Sequence, residues 1–291
     1  MPRSAVVVVN YGSHAMLAAH LAPLEAELDV VVVDSFSSAA EAAAVRRVCD
    51  AHGWTLVAPG TNVGFGVGCN LGAQTALDRG AEALLFLNPD ARIDLAGART
   101  LLSAAHADPC LLVAPRIDRP DGSAWFRGAT LDLRTGVTSS RLPGPQEHEV
   151  LWLTGACLAV SAAGWRARGG FDRTYFLYWE DIELSRRWCR DGGRVAVDAT
   201  VTCVHDVGGT QGGAKSPAYY YYNCRNRLLF AATHLPRRTR GRWAWHAPAY
   251  AQRVLLRGGR RQLLHPGTCV VPVARGTLAG LAALVRGATA H

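Results

Sequence analysis

Two hydrophobic periods alternate along the first part of the chain. Residues 5–9 and 30–33 are unbroken runs dominated by Val, the pattern of strands covered on both faces, and residues 15–28 between them repeat their apolar positions at helical spacing. Ala39–His52 predicts a second helix, 55–58 a third strand, 69–79 a third helix, and Ala83–Leu87 a fourth strand that runs into Asn88, Pro89 and Asp90. Such alternation predicts an α/β fold with an open, mostly parallel sheet and right-handed crossovers. Ligands of these sheets sit beyond the carboxyl ends of the strands, where this chain places Asn10, Asp34, Asn62, Asn88 and Asp90.

After Asp90 the rhythm changes. Residues 111–115 and 125–133 read as strands around an Asp121-Gly122 turn, 142–148 as a loop, and 158–161 as another strand. Residues 181–190 read as a helix whose opening acids suit its positive end, and 194–197 and 201–205 as closing strands. From Pro217 the pattern is helical with Arg-rich connections. The expected organisation is one compact domain over 1–216, whose rhythm changes at about residue 92, then a helical basic region over 217–291.

Composition narrows the class. With 49% hydrophobic and 19% charged residues in a chain of 291, a large core is available and wholesale disorder is excluded. The most apolar stretch, 270–285, is broken by Pro272 and Arg275, so no spanning helix is expected, and the 5–9 run is too short for a secretory leader. Eight cysteines without a C-x-x-C pair suit reduced thiols better than a disulfide framework or a zinc site, which predicts a cytoplasmic protein.

Charge is unevenly distributed. All 23 acids lie at or before Asp206, against 18 Arg, whereas residues 207–291 hold 12 Arg and Lys215 with no acid. Thirty Arg beside one Lys is a coding bias, so the missing acids are more informative than the number of Arg. An acid-free C-terminal part points to a local anionic partner.

Four segments carry candidate chemistry. Asn62, Gly64, Gly66, Gly68 and Asn70 form a Gly-rich connection from a strand into a helix, where close backbone approach and a helix N-terminus favour an anionic ligand. The third Gly is misplaced for a dinucleotide fingerprint, and a tight helix-entry loop without ligand is the alternative. Asp90, just past a strand, suits a divalent cation that also binds a diphosphate, or an ordinary turn. An aromatic run over 175–179 leads into Glu180 and Asp181, where Asp181 can take a proton from a hydroxyl while the aromatics face a sugar; a helix cap beside a core cluster is the other reading. His205 gains interest only as a second ligand to a metal held by Asp90.

In this order, Val8-Val9-Asn10-Tyr11, Asp34-Ser35-Phe36-Ser37-Ser38, Asn62-Val63-Gly64-Phe65-Gly66 with Asn70, Asn88-Pro89-Asp90, Thr154-Gly155-Ala156, Gly169-Gly170-Phe171-Asp172, Tyr178-Trp179-Glu180-Asp181, His205 and Tyr222-Asn223-Cys224-Arg225-Asn226 resemble family 2 glycosyltransferases of the GT-A fold, particularly bacterial rhamnosyltransferase-like members. The resemblance covers about residues 4–230 and implies that 1–216 is a GT-A catalytic domain, with a nucleotide-binding part of about 1–92 and an acceptor part of about 93–216. It implies a nucleotide-diphosphate sugar donor, dTDP-rhamnose first, with UDP-sugars or GDP-mannose behind it. Asp34 then contacts base or ribose, and Asn10, Tyr11, Asn62, Gly64, Phe65, Asn70, Asn88, Asp90 and Arg225 line the donor site. Asp90 and His205 hold Mg²⁺ or Mn²⁺, Asp181 is the base of a single inverting displacement, and Gly155, Trp179 and Glu180 lie at the acceptor. Two departures stand out: Asn88 replaces the first acid of the D-x-D motif, and Asp-Ser-Phe-Ser-Ser replaces the commoner Asp-Asn-x-Ser.

The implied acceptor is a hydroxyl on a lipid-linked cell-wall or polysaccharide intermediate or on a natural product, and a homodimer is left open. Two other classes compete: a non-catalytic nucleotide-sugar-binding accessory protein, and a nucleic-acid-binding protein using the basic tail with residues 219–222, Trp243 and Trp245. The co-occurrence of Asp90, Asp181 and His205 favours an enzyme with no specific nucleic-acid partner. Arg237, Arg238, Arg240 and Arg242 beside Trp243 and Trp245 suit peripheral contact with an anionic membrane, or else a solvated helical face.

Overall fold

A computed structural model describes residues 2–140, 148–206 and 215–289. All but His148 of the expected 142–148 loop, and residues 207–214, lie outside the described residues. The first half runs β1 (Ser4–Asn10), α1 (His14–Leu21), β2 (Asp29–Asp34), α2 (Ala39–His52), β3 (Thr55–Val57), α3 (Phe65–Asp78) and β4 (Ala83–Leu87). β1 lies between β2 and β4, parallel to both. The unbroken Val runs are explained by the layers on either side of this sheet. Val6, Val8, Val30 and Val32 pack with Leu17, Leu21 and Leu101, whereas Val7, Val9, Val31 and Val33 pack with Cys69, Ala73 and Ala76 of α3.

Two expectations are corrected here. α1 stops at Leu21 rather than running to 28, because Pro23 has no N–H to continue the ladder. α3 begins at Phe65 rather than 69, so Gly66, Gly68 and Gly72 lie inside a helix. A Cβ on Gly68 would come within 2.8 Å of Val9, and one on Gly72 would collide with Val7. These glycines allow the helix to lie on the Val-lined sheet, a close approach of protein to protein.

The second half runs β5 (Ala91–Ile93), α4 (Leu95–Ala107), β6 (Leu111–Asp118), β7 (Ala124–Phe126), β8 (Ala129–Asp132), β9 (Val137–Ser139), β10 (Glu149–Trp152), β11 (Cys157–Ser161), α5 (Ala162–Arg168), α6 (Glu180–Arg190) and β12 (Arg194–His205). α4 was not foreseen; Asp94 caps it by accepting from the Gly97 N–H at 2.7 Å. The expected strand over 125–133 is broken into β7 and β8 at Gly128, which has φ +89°. The two expected closing strands are one, with a register shift between Asp198 and Thr202.

The main sheet has the order β3-β2-β1-β4-β11-β6-β12-β5, with β7 on β6, and β10-β8-β9 form a second small sheet. It is mixed: β11 runs antiparallel to β4 and β6, and β5 antiparallel to β12.

The C-terminal helices are α7 (Pro217–His234), α8 (Arg237–Trp245), α9 (Ala247–Leu256) and α10 (Val270–Thr289), with a 3-10 turn at Arg260–Leu264. Leu228, Phe230 and Trp243 from these helices share one core with Leu131, Tyr175, Trp179 and Ile182. Arg227, 1% exposed, donates to the carbonyls of Thr135, Gly136 and Trp243 and lies between the rings of Trp243 and Tyr250. Burial lowers its pKa to about 10, so it remains a cation at neutral pH. Among the described residues no helix is long and apolar enough to cross a membrane.

Candidate active site

A cleft of about 800 Å³ opens beside the carboxyl end of β4, with Asn88, Gly155, Glu180, Asp181 and His205 on its wall. Asp181 enters from the first turn of α6. Its Oδ2 accepts from the Gly155 N–H at 3.4 Å and its Oδ1 from the Ile182 N–H at 2.8 Å. Burial raises its pKa to about 6 despite these bonds. Glu180 is 6% exposed, and burial first and the Asp181 charge second push its pKa well above the ordinary carboxylate range. With a pKa of about 6, Asp181 is ionised at neutral pH.

Tight backbone geometry delivers these acids. Tyr178 and Trp179 have φ of +63° and +75°, a left-handed pair of non-glycine residues just before α6. Asn226 of α7, fully buried, donates its amide to the carbonyls of Leu177 at 2.9 Å and Tyr178 at 2.8 Å. Gly64, at φ +79°, lies so close to the Phe176 carbonyl that a Cβ would collide with it, and the Phe65 N–H donates to that carbonyl at 3.0 Å. Phe65 thereby reaches the cleft wall beside Gly155.

His205 ends β12 and Asp90 precedes β5, and pairing of these strands brings His205 Nε2 to 2.9 Å from Asp90 Oδ1. His205 Nδ1 is buried without a hydrogen-bond partner. Asn88 sits on the same turn, its carbonyl accepting from the Ala91 N–H.

At the ends of β1 and β2, Asn10 Nδ2 bridges Asp34 Oδ1 at 3.3 Å and Glu41 Oε1 at 3.1 Å. Asp34 is 2% exposed, and burial outweighs the Asn10 bond to raise its pKa. Tyr11 beside them is 56% exposed. Asn62 accepts from the Ser35 hydroxyl and the Gly64 N–H, both at 3.0 Å, which ties the β3–α3 connection to the end of β2.

The chain is 30% identical over 221 residues to an N-acetylglucosaminyl-diphospho-decaprenol L-rhamnosyltransferase of Mycobacterium tuberculosis, covering 64% of this chain and 70% of that protein. The chain belongs to the family 2 glycosyltransferases, in their rhamnosyltransferase-like group. This glycosyltransferase is also 26% identical over 231 residues to a low-salt glycan biosynthesis hexosyltransferase of Haloferax volcanii, covering 77% of this chain and 74% of that one. Among solved structures, a mannosyltransferase of Pyrobaculum calidifontis in complex with GDP-Man and Mn²⁺ superposes with a TM-score of 0.56 at 20% identity, over 99% of this chain and 86% of that one. The fold is GT-A. No family model matches the chain.

Three expected site residues of the glycosyltransferase are engaged by protein partners. Trp179 is 3% exposed and packs with Phe230, Trp243 and Tyr250; it is core, because the left-handed turn directs it away from the cleft, and Tyr178 takes the cleft side. Asn70 clamps the backbone of Phe171, donating to its carbonyl at 2.8 Å and accepting from its N–H at 2.9 Å. Arg225 donates to the Thr174 carbonyl at 3.2 Å and to Asn226 Oδ1 at 2.5 Å, bracing the turn before α6.

Sequence reasoning missed Arg119, Trp125, Trp152, Lys215, Tyr219 and Arg257 on the cleft wall, and Glu41 in the buried cluster. Lys215 had a signal: it is the one lysine of the chain. Tyr219 stood in the aromatic run 219–222, and the others reach the cleft only through packing of their segments.

Proposed function

We propose that this glycosyltransferase inverts the anomeric centre while moving a hexose, rhamnose by preference, from a nucleotide-diphosphate donor to an acceptor hydroxyl. The single observation carrying this is the ionisable Asp181 on the cleft wall, held by two backbone N–H groups and brought to a pKa of about 6 by burial. Such a carboxylate is ionised at neutral pH yet a stronger base than an exposed Asp. The acceptor oxygen forms the new bond to the anomeric carbon, its proton passes to Asp181, and the nucleoside diphosphate leaves with the electron pair of the broken C–O bond. Glu180, whose buried Oε2 has no protein hydrogen-bond partner, lies beside Asp181 on the cleft wall and is available to a hydroxyl of the acceptor. Trp125, Trp152, Tyr178 and Tyr219 supply flat apolar faces that orient sugar rings.

The polar cluster of Asn10, Asp34 and Glu41 with exposed Tyr11, at the carboxyl ends of β1 and β2, supports a base and ribose site there. Asp90 and His205 suit a divalent ion such as Mg²⁺ or Mn²⁺: a carboxylate oxygen and an imidazole nitrogen converge, with the Asn88 turn alongside. Among the described residues no third His, Cys, Asp or Glu joins them, so diphosphate oxygens and water complete such a site. When bound, the ion neutralises charge on the leaving diphosphate. The polyprenyl-linked acceptor in the name of the mycobacterial relative supports a lipid-linked acceptor here, and eight free cysteines support a cytoplasmic setting.

The test is nucleoside diphosphate release by purified protein from dTDP-rhamnose, UDP-glucose and GDP-mannose, with thermal shifts recorded with and without Mn²⁺. dTDP-rhamnose with Mn²⁺ is expected to give the largest shift and the fastest release. Absence of any shift or release across the panel would overturn the reading.

A further inference from the structure

The acid-free C-terminal part carries an unusual share of the exposed apolar surface. Ten large hydrophobic side chains are exposed among the described residues, and eight of them lie between Trp245 and Val285. Leu256, Leu263, Leu264, Val270 and Val271 follow one another along a surface segment that also holds Arg257 and Arg261. From Val271 the pattern continues along α10. The inner face of α10 places Gly276 against the Tyr221 backbone, and a Cβ on Gly280 would lie 2.8 Å from Leu228. Its outer face presents Val271, Ala274, Leu278, Ala282 and Val285 with Arg275 and Arg286 at helical spacing. Both faces of this helix are apolar, and α7 covers one of them.

We propose that the surface from Leu256 along the outer stripe of α10 docks on an anionic lipid bilayer. The charge pattern selects this occupant. Residues 207–291 carry no acid, and Arg257, Arg261, Arg275 and Arg286 are exposed along this face, so it attracts a sheet of anionic headgroups while Leu and Val side chains enter the boundary beneath them. A second copy of the chain joined through the same face would bring two acid-free, Arg-studded surfaces together, which disfavours a symmetric dimer there. A nucleic acid would stack on exposed aromatics, but Tyr220 and Trp243 are fully buried, and Trp245, 84% exposed, remains of the two tryptophans expected at a surface.

The docking surface reaches the active site. Arg257 lines the cleft together with Lys215 and Tyr219. The Tyr220 hydroxyl donates to Gln262 Oε1, and Gln262 Nε2 donates to the Lys215 carbonyl at 3.0 Å, fastening the Leu256–Leu264 stretch to the rim of the cleft. A bilayer against this face therefore lies beside the mouth of the cleft. The inference stands on charge and exposure and holds whichever sugar is transferred.

The test is flotation of the full chain with phosphatidylcholine vesicles, pure or containing about one-third phosphatidylglycerol, at low salt and at about 0.5 M salt, where screening shortens to roughly 4 Å. Binding at least tenfold stronger to the anionic vesicles, weakened by salt, is expected. The double variant Leu264→Asp/Leu278→Asp, at sites 77% and 67% exposed, should lose most of this binding and keep its melting temperature and its donor hydrolysis. Arg261→Glu/Arg275→Glu should do the same through charge. No binding to anionic vesicles at low salt, equal binding to neutral ones, or a dimer in sedimentation that the Leu264→Asp/Leu278→Asp variant dissociates would each overturn the proposal. Retained donor hydrolysis in a chain that fails to float separates this failure from a failure of the glycosyl-transfer reading.

Discussion

Asn226 donates to the Tyr178 carbonyl at 2.8 Å, and this bond links the first C-terminal helix to the turn that delivers both cleft acids. The same amide holds Leu177, and the left-handed Tyr178 and Trp179 follow at once into Glu180. Left-handed non-glycine residues persist only where surrounding contacts over-determine them. Asn226→Ala should therefore lose roughly 1–3 kcal/mol of stability by orphaning two part-buried carbonyls, and lower kcat at least about tenfold as Asp181 drifts. Thermal melts and steady-state kinetics with saturating donor check this. Asn226→Asp should not rescue either, because an ionised carboxylate cannot donate. Wild-type kcat in a folded Asn226→Ala enzyme would show that the turn holds itself.

Asp181→Asn should reduce kcat by roughly 10²-fold or more with donor affinity nearly unchanged, since the amide keeps size and loses the proton acceptor. In the wild type, kcat/KM should climb as pH rises toward about 6 and level off above it, as Asp181 ionises. Stability runs the other way. A carboxyl raised in the fold from about 4 to about 6 stabilises below its unfolded pKa, and that contribution is lost as pH rises through the folded value. Asp181→Asn should thus be more stable than wild type by roughly 1–3 kcal/mol at pH 7.5, with the gain vanishing toward pH 4. A pH-independent difference in melting temperature would contradict this.

Asp90→Ala and His205→Ala should both weaken Mn²⁺-dependent donor binding, Asp90→Ala by roughly tenfold or more, because Asn88 supplies no charge to share the load. Calorimetry with the nucleotide sugar, with and without Mn²⁺, reads this directly. Full activity in the presence of a chelator, together with a harmless Asp90→Ala, would assign the diphosphate to Lys215 and Arg257 instead.

Gly72→Ala should lose roughly 1–3 kcal/mol of stability through collision with Val7 and Val33, with KM for the donor unchanged in the protein that folds. Tyr11→Ala should do the opposite, raising KM without moving the melting temperature, because Tyr11 is 56% exposed. A Gly72→Ala protein of normal stability and raised KM would return the glycines of α3 to the ligand.

The alternating Val runs, the turns at the ends of β1, β2 and β4, and the acid-free C-terminal part were legible in the sequence. Each is a property of neighbouring residues: a period of two with no polar break means both faces of a strand are covered, and a missing charge is missing in any fold. Glu180 and Asp181 were legible for the same reason, as adjacent acids at a helix start. Tertiary structure decided what covered each surface. Trp179 and Trp243 read in sequence like sugar- or lipid-facing aromatics, and they became core because they pack on each other and on Phe230 of α7. The Gly-rich segment read like a phosphate cradle and became a helix seated on valines. β11 entered the sheet antiparallel, and Lys215 and Arg257 arrived at the cleft from residues far along the chain. Local pattern reports how often a side chain turns inward. Which partner waits there is set by contacts between segments distant in sequence, and an aromatic facing a core is spelled in the same letters as one facing a ligand.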